Sequence, residues 1–303
     1  MKRISWRLVS CAAAIILLVT SSCKKNLPGE WKTGSQSKNN EVTSSPKPPP
    51  GPCDVQSFQL ARNTFELVTD NIHEGSVNFL TLVSAFRGMN NIQYDTQHNP
   101  LRAPLNFPDS VCQFSYDIDG RLIEFLIFVP APPPGETAKY EYFWKFFYSP
   151  ANINISAGYR LLTDGTLSDE YLTGTADLNL DDSNRVIKRI YSDGAYDRFE
   201  YNNKSNLINI FSKSATGPEA LRFQFAGYDN KQCFAKTNKV WQLLLNVYSD
   251  NNPRTVTEVQ NNDIVHIYTY QYNSNDLPTS IKEQYNNGTN LMIQSFIQYS
   301  CPN

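Results

Sequence analysis

The sequence predicts an all-β domain, an antiparallel meander of β-hairpins that forms a wide curved sheet or a barrel-like shell. Apolar and polar residues alternate in short runs, as in residues 122–128, 140–148 and 264–272. A period of two is the pattern of a strand with one buried face. Clusters of Asn, Asp, Gly and Pro separate these runs, and such clusters indicate turns.

The first 22 residues have the pattern of a bacterial lipoprotein signal peptide. Lys2, Arg3 and Arg7 precede a short apolar run, and residues 20–22 (TSS) lead to Cys23. The run is shorter than the roughly 20 apolar residues of a membrane-spanning helix and fits a secretory signal. We therefore expect Cys23 to be lipidated and to anchor the protein to the outer membrane. The alternatives are an ordinary signal peptide with an incidental cysteine and an uncleaved anchor.

Residues 23–52 are predicted to be a disordered, flexible tether between the lipid and the folded domain. They are rich in Ser, Asn and Lys and end in a proline run, a composition that buries too little apolar surface to fold. A single all-β domain is expected over residues 53–303. Within it, residues 60–69 and 77–86 are ambiguous between helix and strand, and we predict strands there.

Composition excludes one broad class of partner. The formal net charge is −2 and no basic cluster is present, so we expect no nucleic-acid partner. Charged residues make up 18% of the chain, below the roughly 25% of typical soluble domains. Neutral polar residues and tyrosine take their place, as is typical of exported β-proteins.

Four cysteines follow Cys23 in the chain: Cys53, Cys112, Cys233 and Cys301. An even number of cysteines in an oxidising compartment favours disulfides, and four cysteines allow three pairings. Cys53 opens the folded region and Cys301 nearly closes it. We therefore predict a Cys53–Cys301 bridge, with Cys112–Cys233 as the second. The alternative is that some of these cysteines are buried free thiols.

One hairpin unit recurs four times, at residues 114–122, 178–186, 199–207 and 270–278. The unit begins with an aromatic residue, then one variable residue, then Tyr, and then either Asp or Asn. A polar turn follows, and an apolar residue stands six positions after the Tyr. In the second copy, Leu180 replaces the Tyr. Residues two apart share one face of a strand. Asp and Asn side chains bond their own backbone in turns, and Gly or Asn tolerates a left-handed conformation. Since one hairpin is marginal alone, the copies are expected to share one sheet.

The hairpin unit resembles the YD-type repeats of bacterial surface proteins. Together with Cys23-Lys24-Lys25 and the C-terminal third, it more closely resembles a family of Bacteroidota lipoproteins of unknown function, whose domain is described as porin-like in fold. The resemblance spans roughly residues 112–301 and is clearest after Tyr228. It implies a scaffold and brings no activity or catalytic residues. The many Asn, Lys and Asp residues in the strands argue against a transmembrane wall.

The strand predicted over residues 140–148 carries the candidate ligand-contacting aromatics Tyr142, Trp144, Phe146 and Tyr148. Phe143 and Phe147 alternate onto its other face. A strand that is aromatic on both faces either is buried on both sides or presents one face to a ligand. Tyrosine and tryptophan stack on sugar rings and on apolar ligands. The alternative to a ligand site is a packed core.

No catalytic or metal site is predicted, and no cofactor is expected. His73, His98 and His266 lack the paired spacing of metal ligands, and Asp117 and Asp119 fit a turn better than a calcium loop. No G-x-S-x-G motif is present. We expect His266 to face solvent or to pack at a sheet surface, and we expect the protein not to be an enzyme.

These observations favour a non-catalytic binding module, anchored to the outer membrane by lipid, that takes a glycan, lipid or peptide ligand. The alternative is a structural or assembly subunit that uses a sheet edge or a loop surface to hold another envelope protein. A weaker alternative is an envelope hydrolase. Residues 24–27 (KKNL) contain no acidic residue, which favours the periplasmic face over the cell surface.

Overall fold

A computed structural model describes residues 53–60, 85–86, 88–106, 109–129, 139–163, 166–259, 264–285 and 292–301. The predicted signal peptide, Cys23 and the tether lie outside these residues, as do most of the two ambiguous segments. Ala85 and Phe86, at the end of the second ambiguous segment, are helical and not extended.

The described residues contain seventeen strands, all in one sheet. The strands are β1 (Asp54–Gln59), β2 (Gln93–Tyr94), β3 (Pro100–Pro104), β4 (Val111–Tyr116), β5 (Leu122–Val129), β6 (Lys139–Ser149), β7 (Asn152–Thr163), β8 (Thr166–Leu167), β9 (Tyr171–Leu180), β10 (Val186–Tyr191), β11 (Tyr196–Tyr201), β12 (Leu207–Lys213), β13 (Ala220–Ala226), β14 (Thr255–Glu258), β15 (Ile264–Tyr272), β16 (Pro278–Tyr285) and β17 (Met292–Ser300).

The strands form an antiparallel meander that nearly closes into a barrel, as the sequence predicts. From β2 to β7 and from β9 to β17, each strand pairs with the next in the chain, and β7 pairs with both β8 and β9. Strand β17 pairs with β1. Met89 then bridges Phe58 of β1 and Leu105 beyond β3. These two bridges bring the first and last parts of the sheet together.

The four predicted hairpin turns share one hydrogen-bond pattern. In the first copy, the Asp117 amide donates to the Arg121 carbonyl (3.0 Å), and Asp117 Oδ1 accepts from the Asp119 and Arg121 amides (3.0 and 2.8 Å). Asp181, Asn202 and Asn273 make the equivalent bonds. The fourth residue of each turn is left-handed, with φ between 58° and 75°: Gly120, Asn184, Ser205 and Asp276. The side-chain carboxylate or amide therefore fixes each turn.

A fifth copy of this turn, which the sequence pattern did not reveal, begins at Asp95. The Asp95 amide donates to the Asn99 carbonyl (2.9 Å), and Asp95 Oδ1 accepts from the Gln97 and Asn99 amides (2.7 and 2.9 Å). His98 takes the left-handed position with φ 63°. The strand before this turn, β2, has only two residues, so the alternation that identified the other copies is missing here.

Tyrosine hydroxyls join neighbouring strands beside these turns. The Tyr116 hydroxyl donates to the carbonyl of Pro100, the first residue of β3 (2.6 Å), and the Tyr148 hydroxyl donates to that of Leu122, the first residue of β5 (2.9 Å). Five more tyrosines donate in the same way to a backbone carbonyl: Tyr94, Tyr201, Tyr228, Tyr270 and Tyr299. Burial raises the pKa of all seven hydroxyls, so they remain proton donors at neutral pH.

A short helix, α1 (Lys239–Leu245), packs its apolar side onto the core. Asn238 caps its start by accepting from the Val240 amide (2.8 Å). Trp241 is fully buried, and its ring lies 5.1 Å from that of Phe58 and 5.8 Å from that of Phe114. No helix within the described residues is long and apolar enough to cross a membrane.

The predicted Cys53–Cys301 disulfide is confirmed. It joins the two paired strands β1 and β17 at their ends, with Cα atoms 4.1 Å apart. The second predicted bridge is not formed, since Cys112 and Cys233 are buried free thiols. Cys112 lies within β4 between β3 and β5, whereas Cys233 precedes a 3₁₀ helix (Phe234–Thr237) beyond β13. Burial raises the pKa of both thiols.

Candidate functional site

The barrel has two unlike ends. The five Asp or Asn turns lie at one end, here called the turn end, together with the disulfide. The opposite end, here called the far end, holds the start of β6 and of β9 and the last residues of β7 and β10. Since the strands alternate in direction, a residue's position within its strand tells which end it is near.

The four predicted aromatics of β6 lie on the inner face. Trp144 and Phe146 are buried, with 2% and 4% of their surfaces exposed, and belong to the hydrophobic core. The packed-core alternative therefore describes these two residues. Tyr148 is partly buried at the turn end, where it bonds Leu122. Tyr142 borders the core toward the far end, and the ligand-contact hypothesis carries forward through this residue.

The inner row of β6 continues as a cluster of four tyrosines at the far end, here called the tyrosine ladder: Tyr140, Tyr142, Tyr159 and Tyr171. Tyr159 of β7 is paired with Tyr142 of β6 on one side and with Tyr171 of β9 on the other. The Tyr159 and Tyr171 rings are stacked, 5.2 Å apart, and the Tyr140 and Tyr142 rings are stacked, 6.0 Å apart. Tyr171 is 47% exposed, so the ladder reaches solvent at β9.

Among the described residues, one edge of β9 has no strand beside it over its first five residues. β9 pairs with β7 from Tyr171 to Asn179, but β10 begins to pair with β9 only at Ala176. Residues 171–173 are exposed and residues 174–175 are half-buried. The described part of the chain places no backbone partner on this edge. Because an unpaired edge presents a row of amides and carbonyls, residues 171–175 form a free strand edge.

Gly158 allows the close approach of β7 and β9 that positions Tyr171. A Cβ atom at residue 158 would lie 2.2 Å from the Tyr171 carbonyl oxygen and 2.8 Å from Phe143 Cζ. Both distances are shorter than any ordinary contact. The register of β7 and β9 also shifts between Ala157 and Gly158, so the glycine marks an irregularity that sets the start of β9.

An ion-pair network covers the outer face behind the tyrosine ladder. Arg160 of β7 contacts Glu141 (2.5 Å), Glu170 (2.7 Å) and Glu124 (3.3 Å), and Lys145 contacts Glu170 (2.5 Å). Burial alone would raise the pKa of Glu170, but its hydrogen bonds with Lys145 and Arg160 outweigh burial and lower it. The network fixes the residue immediately before Tyr171 against β6 and β7.

Charged side chains also lie inside the barrel. Arg189 of β10 is 1% exposed, and its Nη1 donates to the Tyr191 hydroxyl (3.3 Å). That hydroxyl donates to Asp197 (2.6 Å), which also accepts from the Ser212 hydroxyl (2.6 Å). Because a buried charge is stable only when it is paired and hydrogen-bonded, this chain of contacts is a structural requirement of the sheet.

His266 is buried, which corrects the expectation that it faces solvent or the sheet surface. It is 2% exposed, and its Nδ1 lies 2.8 Å from Glu283 Oε1 and its Nε2 lies 2.9 Å from Glu258 Oε1. Burial alone would lower the pKa of His266, but the hydrogen bonds to the two glutamates outweigh burial and raise it. Both ring nitrogens are engaged, so the imidazole cannot bind a metal ion without losing a carboxylate contact.

Two features were missed at the level of sequence, and each left a signal. His266 stands two, four and six residues before tyrosines of the same strand, and this period of two places it on their inner face. The free edge of β9 arises because the β10–β11 hairpin is short. Asp193-Gly194 is a strong hairpin signal that marks where β10 ends.

Comparisons with known proteins give a likeness in structure. No family model matches the chain, and no curated protein matches its sequence. The chain is similar to a porin-like protein from Bacteroides uniformis ATCC 8492, with 13% identity, coverage of 70% of this chain and 94% of that chain, and a TM-score of 0.36. It is also similar to a porin-like protein from Bacteroides vulgatus ATCC 8482, with 11% identity, coverage of 69% of this chain and 92% of that chain, and a TM-score of 0.32.

A third similar structure belongs to a much longer chain. It is the crystal structure of TcdB2-TccC3-Cdc42, with 12% identity and a TM-score of 0.27. The match covers 70% of this chain and 11% of that chain. The resemblance to a Bacteroidota lipoprotein family stays a prediction.

Proposed function

We propose that the protein is a non-catalytic binding module that holds an extended segment of another polypeptide along the free edge of β9. The observation that carries this proposal is the edge of residues 171–175, which has no strand partner among the described residues and is exposed at residues 171–173. Of the glycan, lipid and peptide ligands considered from the sequence, a peptide is the one whose backbone complements such an edge. Strand addition to a sheet edge is a recurrent mode of peptide recognition.

The composition of this edge supports strand addition. Natural sheets protect their edges with lysine, proline, bulges or covering elements. Residues 171–175 (YLTGT) contain no charged residue and no proline, and they carry one bulge, at Thr173 opposite Ala157 and Gly158. Tyrosine and threonine also favour the extended conformation. An incoming strand would therefore meet no like charge and no proline, and the bulge at Thr173 would set its register.

The tyrosine ladder supplies contacts for the side chains of such a strand. Tyr171 and Leu172 are 47% and 49% exposed, and Leu167 of the adjacent hairpin is 47% exposed. Alternate residues of an added strand would face the ladder on the inner side. The ion-pair network around Arg160 holds the opposite face in place, so ordering of the edge costs little on binding.

In this proposal the lipid on Cys23 holds the domain at the outer membrane, and the absence of acidic residues in residues 24–27 favours the periplasmic face. The segment bound at β9 belongs to another envelope protein. An assembly subunit of an envelope complex is the second candidate function, and the same free edge favours it. The two candidates differ in whether the bound chain is a transient ligand or a permanent partner.

The proposal is tested with peptides selected from a random heptapeptide library on the full chain in detergent. Binding of each selected peptide is measured by fluorescence anisotropy to the native protein, to Thr173→Lys and to Thr173→Val. The valine variant is a control that removes only the hydrogen bond from Thr173 Oγ1 to the Ala157 carbonyl (3.1 Å). A lysine at an exposed edge opposes strand addition, and we expect at least about a tenfold loss of affinity, which corresponds to about 1.4 kcal/mol. A second arm uses the same peptides with N-methyl groups on alternate backbone nitrogens, which removes the ladder donors.

Gln224→Lys is the matched control for charge. Gln224 is exposed on β13 and is paired on both sides, with Asn209 and Thr257. We expect this variant to bind the peptides as the native protein does. The proposal is contradicted if Thr173→Lys and Gln224→Lys change the peptide affinity to the same extent. It is also contradicted if methylation of the odd-numbered peptide nitrogens and methylation of the even-numbered ones both leave the affinity unchanged.

A further inference from the structure

An open groove of about 540 Å³ lies on the outside of the barrel near the turn end. One side is the β11–β12 turn, with Asn203 and Lys204 exposed, and the other side is the segment after β13, with Asn230 exposed. Half-buried Ile208 and exposed Ala226 give its apolar lining, whereas Phe225 beneath them is 4% exposed and belongs to the core. The volume falls within the range of about 300–1,000 Å³ that is usual for small-molecule sites.

The walls of the groove are held by asparagine side chains that bond one another and the backbone. Asn206 is 1% exposed; its Nδ2 donates to Asn251 Oδ1 (3.1 Å), and the Asn251 backbone N–H donates to Asn206 Oδ1 (2.9 Å). Asn202 Oδ1 accepts from the Lys204 and Asn206 amides (2.9 and 3.0 Å). The turn that carries Asn203 is thus fixed before any ligand arrives, which lowers the entropic cost of binding.

The opposite wall is shaped by a backbone bend at Gly227. Its φ of +65° lies in the left-handed region that side chains rarely adopt, and a Cβ there would lie 3.3 Å from Arg254 Cβ. Asp229, which also lines the groove, already accepts from the Tyr272 hydroxyl and from the Lys231 amide (3.0 Å). The exposed polar residues of the lining are therefore Asn203, Lys204 and Asn230.

We infer that this groove binds a short oligosaccharide. A pyranose ring combines an apolar C–H face with a rim of hydroxyls, and each hydroxyl both donates and accepts. The groove offers apolar side chains beside amides, and an Asn amide likewise donates through nitrogen and accepts through oxygen. A peptide strand does not fit this site equally well. The pairing of β13 with β12 ends at Gln224, so among the described strands only Phe225 and Ala226 are unpaired on the groove side, too few for a strand ladder. The site is separate from the edge of β9 and belongs to a different class of ligand.

The test is isothermal titration calorimetry of the full chain in detergent, which measures the affinity for five probes: xylotriose, cellotriose, maltotriose, chitotriose and trigalacturonate. Two variants change the groove. Asn203→Ala removes one amide, and Ala226→Leu places a larger side chain on an exposed position of the lining. Ser274→Ala is the control, because Ser274 holds the same exposed position in the Asn273 turn, outside the groove. Thermal unfolding of each variant verifies that it folds.

We expect at least one trisaccharide to bind, Asn203→Ala and Ala226→Leu each to weaken its affinity by about tenfold or more, and Ser274→Ala to leave it unchanged. The inference is overturned if no probe binds at millimolar concentration, or if a probe binds folded Asn203→Ala and Ala226→Leu as well as the native protein. Ala226→Leu should leave peptide binding at β9 intact, so this result and that of the proposed function are distinguishable.

Discussion

The turn end and the far end of the barrel are built from the same strands but are held together by different interactions. At the turn end, Asp and Asn side chains fix the turns, tyrosine hydroxyls join neighbouring strands, and Trp241 packs inside. At the far end, charged side chains such as Arg189 and His266 are buried beside the apolar core, and neighbouring strands end at different positions along the barrel. β9 has ten residues and its neighbour β10 has six, so the start of β9 extends past its partner.

This difference shows that a repeated turn motif can determine the structure of a sheet at one end without determining the strand lengths at the other end. The five turns need only an Asp or Asn and a residue that tolerates a left-handed backbone. The far end is under no such local constraint, since its shape depends on strand lengths and on inner-face side chains. Stability is therefore expected to concentrate at the turn end, and peptide binding at the far end.

Removal of the disulfide should have the largest effect on stability. Cys53→Ala with Cys301→Ala opens a loop with a sequence separation of 248 residues. The chain-entropy treatment assigns about 5 kcal/mol to a loop of that size. We expect a large fall in the midpoint of urea unfolding. A reducing agent should have the same effect on the native protein and none on the variant; an unchanged midpoint in both would contradict the turn-end account.

Truncation of Trp241 should come next. Trp241→Ala leaves a cavity among the rings of Phe58, Phe86 and Phe114, and such changes cost about 3–5 kcal/mol. Tyr171→Ala, at the 47% exposed end of the tyrosine ladder, is the matched far-end variant. We expect it to lower the free energy of unfolding by less than about 1 kcal/mol. Equal losses in the two variants would remove the proposed difference between the ends.

A smaller effect is expected at Gly158. Gly158→Ala places a Cβ 2.2 Å from the Tyr171 carbonyl oxygen, and overpacking of this kind costs about 1–3 kcal/mol. Because the clash lies between β7 and the start of β9, peptide affinity should fall as well. Gly120→Ala, in the β4–β5 turn at the turn end, is a useful comparison, since the nearest atom to a Cβ there is 3.6 Å away, although its φ of +75° adds backbone strain. Gly120→Ala should leave peptide affinity unchanged.

The smallest effect is a pH dependence of stability from His266. Hydrogen bonds to Glu258 and Glu283 outweigh burial and raise its folded-state pKa above 6.5. The protonated form is therefore the stabilised one: its contribution is fully present below about pH 6.5 and is lost as the pH rises through the folded-state pKa. Urea unfolding across this window should show the loss in the native protein and not in His266→Gln. A native profile that rises through this window would contradict this assignment.

The sequence predicted those parts of the fold that depend on local chemistry. The alternation in β5, β6 and β15 predicted strands, the Asp and Asn positions predicted turns, and the terminal position of Cys53 and Cys301 predicted their bridge. Asp95 escaped notice because β2 is too short to show a period of two. The Cys112–Cys233 bridge was wrong because only a count of cysteines supported it, and strand order in space decides which cysteines meet.

The candidate site was harder to predict for a physical reason. Tyr142 was identified as an aromatic on an alternating strand, but Tyr159 and Tyr171 join it through the pairing of β6, β7 and β9. The free edge depends on the difference in length between two neighbouring strands. Neither pairing nor relative length is written in one segment of sequence, so both became visible only in the assembled sheet.

Hydrogen–deuterium exchange of the full chain, with and without a library-selected peptide, tests the central claim most directly. In the free protein, the amides on the open edge of residues 171–175 should exchange faster than those of the turn-end hairpins, because no neighbouring strand protects them. Peptide binding should slow exchange at residues 171–175 and leave the hairpin at residues 114–125 unchanged. Protection confined to other strands, with residues 171–175 unaffected, would contradict the account.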